Sequence, residues 1–261
     1  MERKPVIIDP AAFPAALRDL LTGAAVYDSS CSNLARVWFI DREGGCYLKT
    51  APSGSLRQEA LMTDYFHRIG LGPEVLRYEQ ADADWLLTRA VPGEDCIHKQ
   101  YLDDPKRLCD TLGQLLRMLH ETPTTECPVT DRTTDYIATA EKNYRAGKWH
   151  PSRIPAGQTI ANAHNAWAIA QQFSGALKND TLIHGDYCLP NILLDNWRFS
   201  AFIDLGSSGL GDRHMDLYWG LWSLTYNLKT DAYRDRFLAC YGRDGFEPEI
   251  LRAITAFEAF G

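Results

Sequence analysis

Up to residue 88 the apolar positions fall in short β-branched and aromatic runs separated by turn residues, and beyond residue 93 they recur mostly at helical spacing. Residues 15–27 carry a short apolar pattern, helix or strand, interrupted at Gly23. A small-residue loop at 29–33 leads into a β-rich run at 35–40, turn residues at 41–45 and a return run at 46–50. That order predicts a hairpin with Lys49 near its end. Residues 55–69 turn helical, with Leu56, Ala60, Leu61 and Phe66 as the buried stripe and Gly70 as the C-cap. Two further strands are expected at 74–78 and 85–88.

The segment 89–93 ends in Pro92 and Gly93 and reads as a linker. After it, Leu108, Leu112, Leu115, Leu116 and Leu119 keep a 3.6-residue period, which predicts an amphipathic helix over 105–121, stopped by Thr122-Pro123. Helices are also expected over 131–147, 155–178, 213–240 and 247–260. The fold class is therefore α+β, with two lobes: a small β-rich N-terminal lobe (1–88), a linker (89–93) and a larger helical C-terminal lobe (94–261).

Composition narrows the function. A chain of 261 residues, 45% apolar and 23% charged, can build two cores. No run reaches the ~20 apolar residues that span a bilayer, and residues 1–9 lack the apolar region of a secretory signal. A cytoplasmic protein without a membrane partner is expected. The net charge of −7 and the lack of a dense Lys/Arg run argue against nucleic acid and suit a cationic or neutral partner. The seven cysteines form no C-x-x-C pair, so free thiols are expected and structural zinc is not.

The chemistry concentrates in 183–206. Apolar runs at 192–194 and 199–203 flank Asn196-Trp-Arg198, a hairpin signal. With the turn centred near Trp197, Asn191 falls opposite Asp204, and cross-strand neighbours sit ~4.5–5.5 Å apart. A carboxylate and an amide oxygen at that spacing can share a hard cation such as Mg²⁺. Asp186, five residues before Asn191, would overlook the same spot. Phosphoryl transfer uses such a set: a metal to neutralise phosphate oxygens and a carboxylate to take the attacking hydroxyl's proton. The sequence holds no G-x-x-x-x-G-K-[ST] loop. Gly206-Ser-Ser-Gly209 lacks the spacing of a hydrolase elbow, and Gly70-x-Gly72 runs into Pro73 rather than a helix.

His184-Gly-Asp-x-x-x-x-Asn191 with Ile203-Asp-Leu-Gly206 resembles the catalytic and metal loops of the aminoglycoside phosphotransferase family, relatives of the protein kinases. The string HGDYCLPN closely resembles the 3′-phosphotransferase branch. The resemblance implies a kinase-like fold and ATP (or GTP) with Mg²⁺ as cofactors. The substrate it implies is a cationic aminoglycoside, phosphorylated at the 3′-hydroxyl with antibiotic resistance as the result. Asp186 becomes the catalytic base, and Asn191 and Asp204 the metal ligands. Lys49 on its strand takes the nucleotide phosphates and Glu59 orients it. Tyr47 stacks on the base, Ser32 and Asn33 cover the phosphates, and the 87–91 linker, with Thr88, Arg89 and Val91, meets the base through its backbone. Glu258 in the C-terminal segment matches the family's drug-binding glutamate, and Arg213, Asp135 and Glu141 are further acceptor candidates. His184 is expected to hold the loop, Asp212 to cap a helix, and Asp216 to tie that helix to the catalytic loop. A monomer or homodimer is expected. The same motif also suits a kinase of another hydroxylated metabolite, choline-like or sugar-like, and a silent nucleotide-binding module is the alternative outside enzymes.

Overall fold

The computed structural model describes residues 3–31, 35–155 and 157–261. These form two compact units. One comprises the chain up to Asp95 together with Leu193–Gly206; the other comprises Cys96–Ile192 and Ser207–Gly261. The sequence boundaries took each lobe as one continuous segment. In the structure the hairpin after Ile192 groups with the N-terminal unit, because Glu94 and Asp95 pair with Leu194 and Leu193.

The first unit is built on a six-stranded antiparallel sheet. Its strands are β1 (Lys4–Pro5), β2 (Ala25–Asp28), β3 (Arg36–Asp41), β4 (Cys46–Pro52), β5 (Val75–Gln80) and β6 (Ala83–Arg89), in the order β1-β2-β3-β4-β6-β5. The predicted hairpin is β3–β4, with Lys49 opposite Val37 on one side and Leu86 of β6 on the other. Residues 15–27 resolve into both alternatives: helix α1 (Ala15–Leu21), then β2 after Gly23 at φ +75°. Leu17, Val26, Trp38, Ile40, Leu48 and Leu87 make the core on one face of this sheet.

Helix α2 (Arg57–Arg68) packs Leu56 and Ala60 against Leu86 and ends at Gly70, φ +76°, whose N–H donates to the His67 carbonyl. Leu61, expected in the buried stripe, is 45% exposed; it sits one residue past Ala60, about 100° around the helix from the buried face. The start of α2 is fixed from a strand. Asp84 is fully buried, and its carboxylate accepts the N–H groups of Gly54 (2.9 Å) and Leu56 (2.8 Å). Leu56 is the N-cap of α2, whose N–H has no intrahelical partner, so a strand residue helps set where α2, and Glu59 on it, begins.

The second unit is helical. Helices α3 (Lys99–Leu102), α4 (Pro105–His120), α5 (Arg132–Arg145), α6 (Ala163–Phe173), α7 (His214–Leu228), α8 (Arg234–Tyr241) and α9 (Pro248–Glu258) accompany a short antiparallel pair, Thr181–Ile183 with Gly209–Gly211. Helix α4 buries Leu108, Leu112, Leu116 and Leu119 as its period predicts. Two helices expected as continuous are shorter. The 155–178 span becomes α6 alone, because Pro155 and Gly157 precede it and Asn162 caps it through the Asn165 N–H (2.9 Å). The 213–240 span breaks at Lys229, which adopts a left-handed φ of +57°. Packing of α6 on α9 centres on Trp167, Phe257 and Phe260. None of the seven cysteines is in a disulfide. Among the described residues no helix is long and apolar enough to cross a membrane.

Candidate functional site

In the first unit three charged side chains converge. Lys49 Nζ donates to both Glu59 oxygens (2.8 and 2.9 Å) and to Asp204 Oδ1 (2.9 Å). Strand β4 delivers Lys49, the second turn of α2 delivers Glu59, and Asp204 follows the strand Arg198–Phe202. Asp204 sits at φ +57°, a conformation that costs a non-glycine residue about 1–2 kcal/mol; its ion pair offsets part of that. Burial works against the Lys49 ammonium, but Asp204 and then Glu59 outweigh it and hold its pKa above the ordinary lysine value. Lys49 therefore remains charged at any physiological pH.

The triad lies in a cavity of about 210 Å³ whose other walls include Tyr47, Thr88, Arg89 and Val91. All four were anticipated from the sequence. Ser32 and Asn33 lie outside the described residues. Thr63 and Leu193 also line the cavity, and neither was singled out in the sequence. Gln58, also unforeseen, donates to the Gly206 carbonyl (2.8 Å) and ties the Asp204 loop to α2. A Cβ at Gly206 would make only ordinary van der Waals contact with Glu59, at 3.5 Å.

The expected cross-strand pairing of Asn191 with Asp204 is not a ladder pairing. The turn is a two-residue one, Asn196-Trp197, with both φ angles positive, and the strands run Ile192–Asp195 and Arg198–Phe202. Asp195 and Arg198 thus flank the turn, and neither Asn191 nor Asp204 lies on a strand. Asn191 ends a 3₁₀ turn in the second unit.

In that second unit Asn191 meets Asp186. Its Nδ2 donates to the Asp186 carbonyl (3.0 Å) and to Asp186 Oδ2 (2.9 Å). The loop carrying Asp186 is bound tightly. Asp216, fully buried on the first turn of α7, accepts the N–H groups of His184 and Gly185, both at 2.7 Å. His184 Nδ1 takes the Asp186 N–H (3.3 Å), and Ser223 Oγ takes that of Leu189 (3.0 Å). Gly185, φ +79°, permits the turn; a Cβ there would lie 2.0 Å from the Ser207 carbonyl oxygen. His184 and Asp216 thus hold the loop, as expected of them. Asp212, expected to cap α7, stands one residue before the N-cap Arg213; its carboxylate accepts the His214 N–H (3.0 Å) and the Lys178 N–H (2.9 Å).

A model of the phosphotransferase enzyme family matches residues 25–254. The chain belongs to that family. A probable aminoglycoside 3′-phosphotransferase of Lactococcus lactis is 45% identical over 250 residues, 95% of each chain. An aminoglycoside 3′-phosphotransferase of Niallia circulans is 27% identical over 82% of this chain and 83% of its own. Among solved structures, aminoglycoside-3′-phosphotransferase of type VIII superposes with a TM-score of 0.73 at 23% identity, over 99% of this chain and 94% of its own. APH(3″)-Id of Streptomyces rimosus gives 0.76 at 23%, over 97% and 99%. At these identities the structural likeness shows the fold.

This phosphotransferase-family chain keeps its charged triad, Asp186 and Asn191 within the matched stretch, whereas Glu258 lies just beyond it. Glu258, on the last turn of α9, is only 3% exposed and pairs with Arg153 Nη1 at 3.4 Å. Burial raises its pKa to about 7; Arg153 and hydrogen bonds from Tyr136 and Trp219 pull it down, and the Asp186 charge adds to the rise. A carboxyl whose pKa rises from 4.5 to about 7 on folding binds more protons folded than unfolded between those values. Its contribution is therefore complete below about pH 4.5 and is lost as pH climbs through 7, a change of about 3 kcal/mol. Urea unfolding across pH 4.5–8 is expected to show wild type losing about 3 kcal/mol more than Glu258→Gln; parallel curves would remove this assignment.

The remaining acceptor candidates have local partners. Asp135 pairs with Arg132 (3.5 Å) and Glu141 with Arg145, each along α5, and Arg213 Nη2 donates to Thr181 Oγ1 (3.3 Å). A cavity of about 550 Å³ lies between α7 and α9, walled by Tyr218, Trp222 and Tyr226 and edged by Asp231 and Thr255. Aromatic faces beside hydroxyls and a carboxylate suit a hydroxylated, amino-bearing ring. Sequence reasoning passed over Trp222 and Tyr226 because aromatic residues at helical spacing read as core.

Proposed function

We propose that this protein transfers the γ-phosphoryl group of ATP to the 3′-hydroxyl of an aminoglycoside, which inactivates the drug and confers resistance. The observation that carries the reading is the Lys49–Glu59–Asp204 triad in a cavity, in a chain 45% identical over nearly its whole length to a probable aminoglycoside 3′-phosphotransferase. The solved complex of the Streptomyces rimosus enzyme with ADP and streptomycin supports nucleotide use by this fold.

In this reading Lys49 contacts the nucleotide phosphates. Its three N–H groups are spent on Glu59 and Asp204, so a phosphate oxygen must displace one partner. Asp204 is the partner that yields, because its side chain is 53% exposed against 12% for Glu59. Asp204 then has an oxygen free for a cation. Asp204 and Asn191, in separate units, each carry one hard oxygen of the kind Mg²⁺ takes. Among the described residues no group of three His, Cys, Asp or Glu could hold a metal, and Mg²⁺ ordinarily completes its shell with phosphate and water. When bound, it neutralises phosphate charge. Tyr47 and the 87–91 backbone hold the base. Asp186 accepts the proton of the acceptor hydroxyl, its orientation set by Asn191 and its backbone N–H held by His184. The aromatic-walled cavity between α7 and α9 receives the acceptor.

The test is ADP release coupled to NADH oxidation, with kanamycin as acceptor. Wild type is expected to release ADP in a drug-dependent way. Lys49→Met, which keeps the volume and removes the charge, is expected to lose about 10²–10³-fold in kcat/KM. The reading fails if wild type shows no drug-dependent release.

A further inference from the structure

We propose that Arg3 is a positioning residue for the nucleotide cavity, holding the Tyr47 ring in place as its base-facing wall. The inference rests on the nucleotide reading above and goes beyond it: Arg3 precedes the stretch that the family model matches, which starts at residue 25.

The geometry comes from strand register. Tyr27, Phe39, Tyr47 and Thr88 are successive cross-strand partners on β2, β3, β4 and β6. Side chains at paired positions share a face, and Tyr47 and Thr88 from this row line the cavity. At the edge of the sheet β1 adds Pro5 opposite Tyr27. Arg3, two residues earlier, reaches back over the row. Its Nη2 donates to Tyr47 Oη at 2.8 Å, and its guanidinium carbon stands 3.6 Å from the Phe39 ring centroid and 5.6 Å from that of Tyr47. The Phe39 and Tyr47 rings are themselves 5.2 Å apart.

Tyr47 needs such a hold. It lines the nucleotide cavity on one side and, on the other, a second cavity of about 170 Å³ shared with Arg3, Gly93 and Glu94. A ring between two spaces can swing into either. With Oη bonded and the ring under the guanidinium, one orientation is fixed before the nucleotide arrives. Its ordering cost is then met in folding rather than in binding.

The experiment measures binding of a non-hydrolysable ATP analogue with Mg²⁺ by titration calorimetry, together with kcat and KM for ATP. Arg3→Ala is expected to raise Kd and KM about 5-fold, the effect of freeing one side chain, with kcat within two-fold of wild type. Tyr47→Phe keeps the ring and removes the acceptor, and is expected to do the same. The double variant should be no weaker than either single one, and Arg3→Lys should recover part of the loss by restoring a charged donor. An unchanged Kd in Arg3→Ala, or strictly additive losses in the double variant, would overturn the proposal. Unchanged analogue binding in Lys49→Met would instead remove the nucleotide reading of the cavity, and this inference with it.

Discussion

Replacing Asp186 by Asn is expected to lower kcat by about 10²–10⁴-fold, the usual contribution of a positioned base, while KM for ATP stays within a few-fold. The substitution keeps shape and can still accept from Asn191 Nδ2, whose 2.9 Å bond to Oδ2 orients the carboxylate. What it removes is the capacity to take a proton. The loop should not collapse, because Asp216 and Ser223 fix it through its backbone rather than through this side chain. Steady-state kinetics with saturating aminoglycoside decide the matter; a loss below ten-fold excludes Asp186 as the base. Turnover by wild type in the same assay also disposes of the silent-module alternative.

Asp216→Ala is expected to cost about 3–5 kcal/mol of stability and most of the activity. The N–H groups of His184 and Gly185 would lose the carboxylate that accepts them, at about 1–3 kcal/mol each. His120 would lose the contact from Nε2 to Asp216 Oδ2 at 3.2 Å. Burial pulls the His120 pKa below the ordinary imidazole value against that carboxylate, so the contact is a hydrogen bond to a neutral ring and its loss leaves no buried charge. Asp216→Asn offers one acceptor oxygen in place of two and should recover no more than half of the loss. Urea unfolding at pH 7 measures the first effect and kcat the second. A variant within 1 kcal/mol of wild type would show that the loop is held by other means.

Several elements were legible because one local rule dominated them. The hairpin β3–β4 follows from aromatic and β-branched runs around the 41–45 turn, and α4 from its leucine period. Lys49, Glu59, Asp186, Asn191 and Asp204 stood out through their order and spacing, and the structure brings Lys49, Glu59 and Asp204 together in one unit and Asp186 with Asn191 in the other. Leu61 was misread because an apolar residue beside the stripe looks the same in one dimension as one within it. The Asn191–Asp204 register failed for a similar reason: a hairpin signal locates a turn to within a residue or two, and one residue more or less in the turn changes every pairing after it.

The sequence by itself determined which chemical groups are present, the α+β class and the family, because each rests on residue type and short-range spacing. Only the tertiary structure decided their states. Lys49 is held charged by two carboxylates that approach it from 10 and 155 residues away. Glu258 is moved to a pKa near 7 by burial, which outweighs the opposing pull of Arg153, where the family resemblance suggested a drug-binding carboxylate. Asp84 and Arg3 acquire roles from partners 28 and 44 residues distant. Charge state, burial and side-chain orientation depend on what else occupies the surrounding few ångströms, and long-range folding alone sets that.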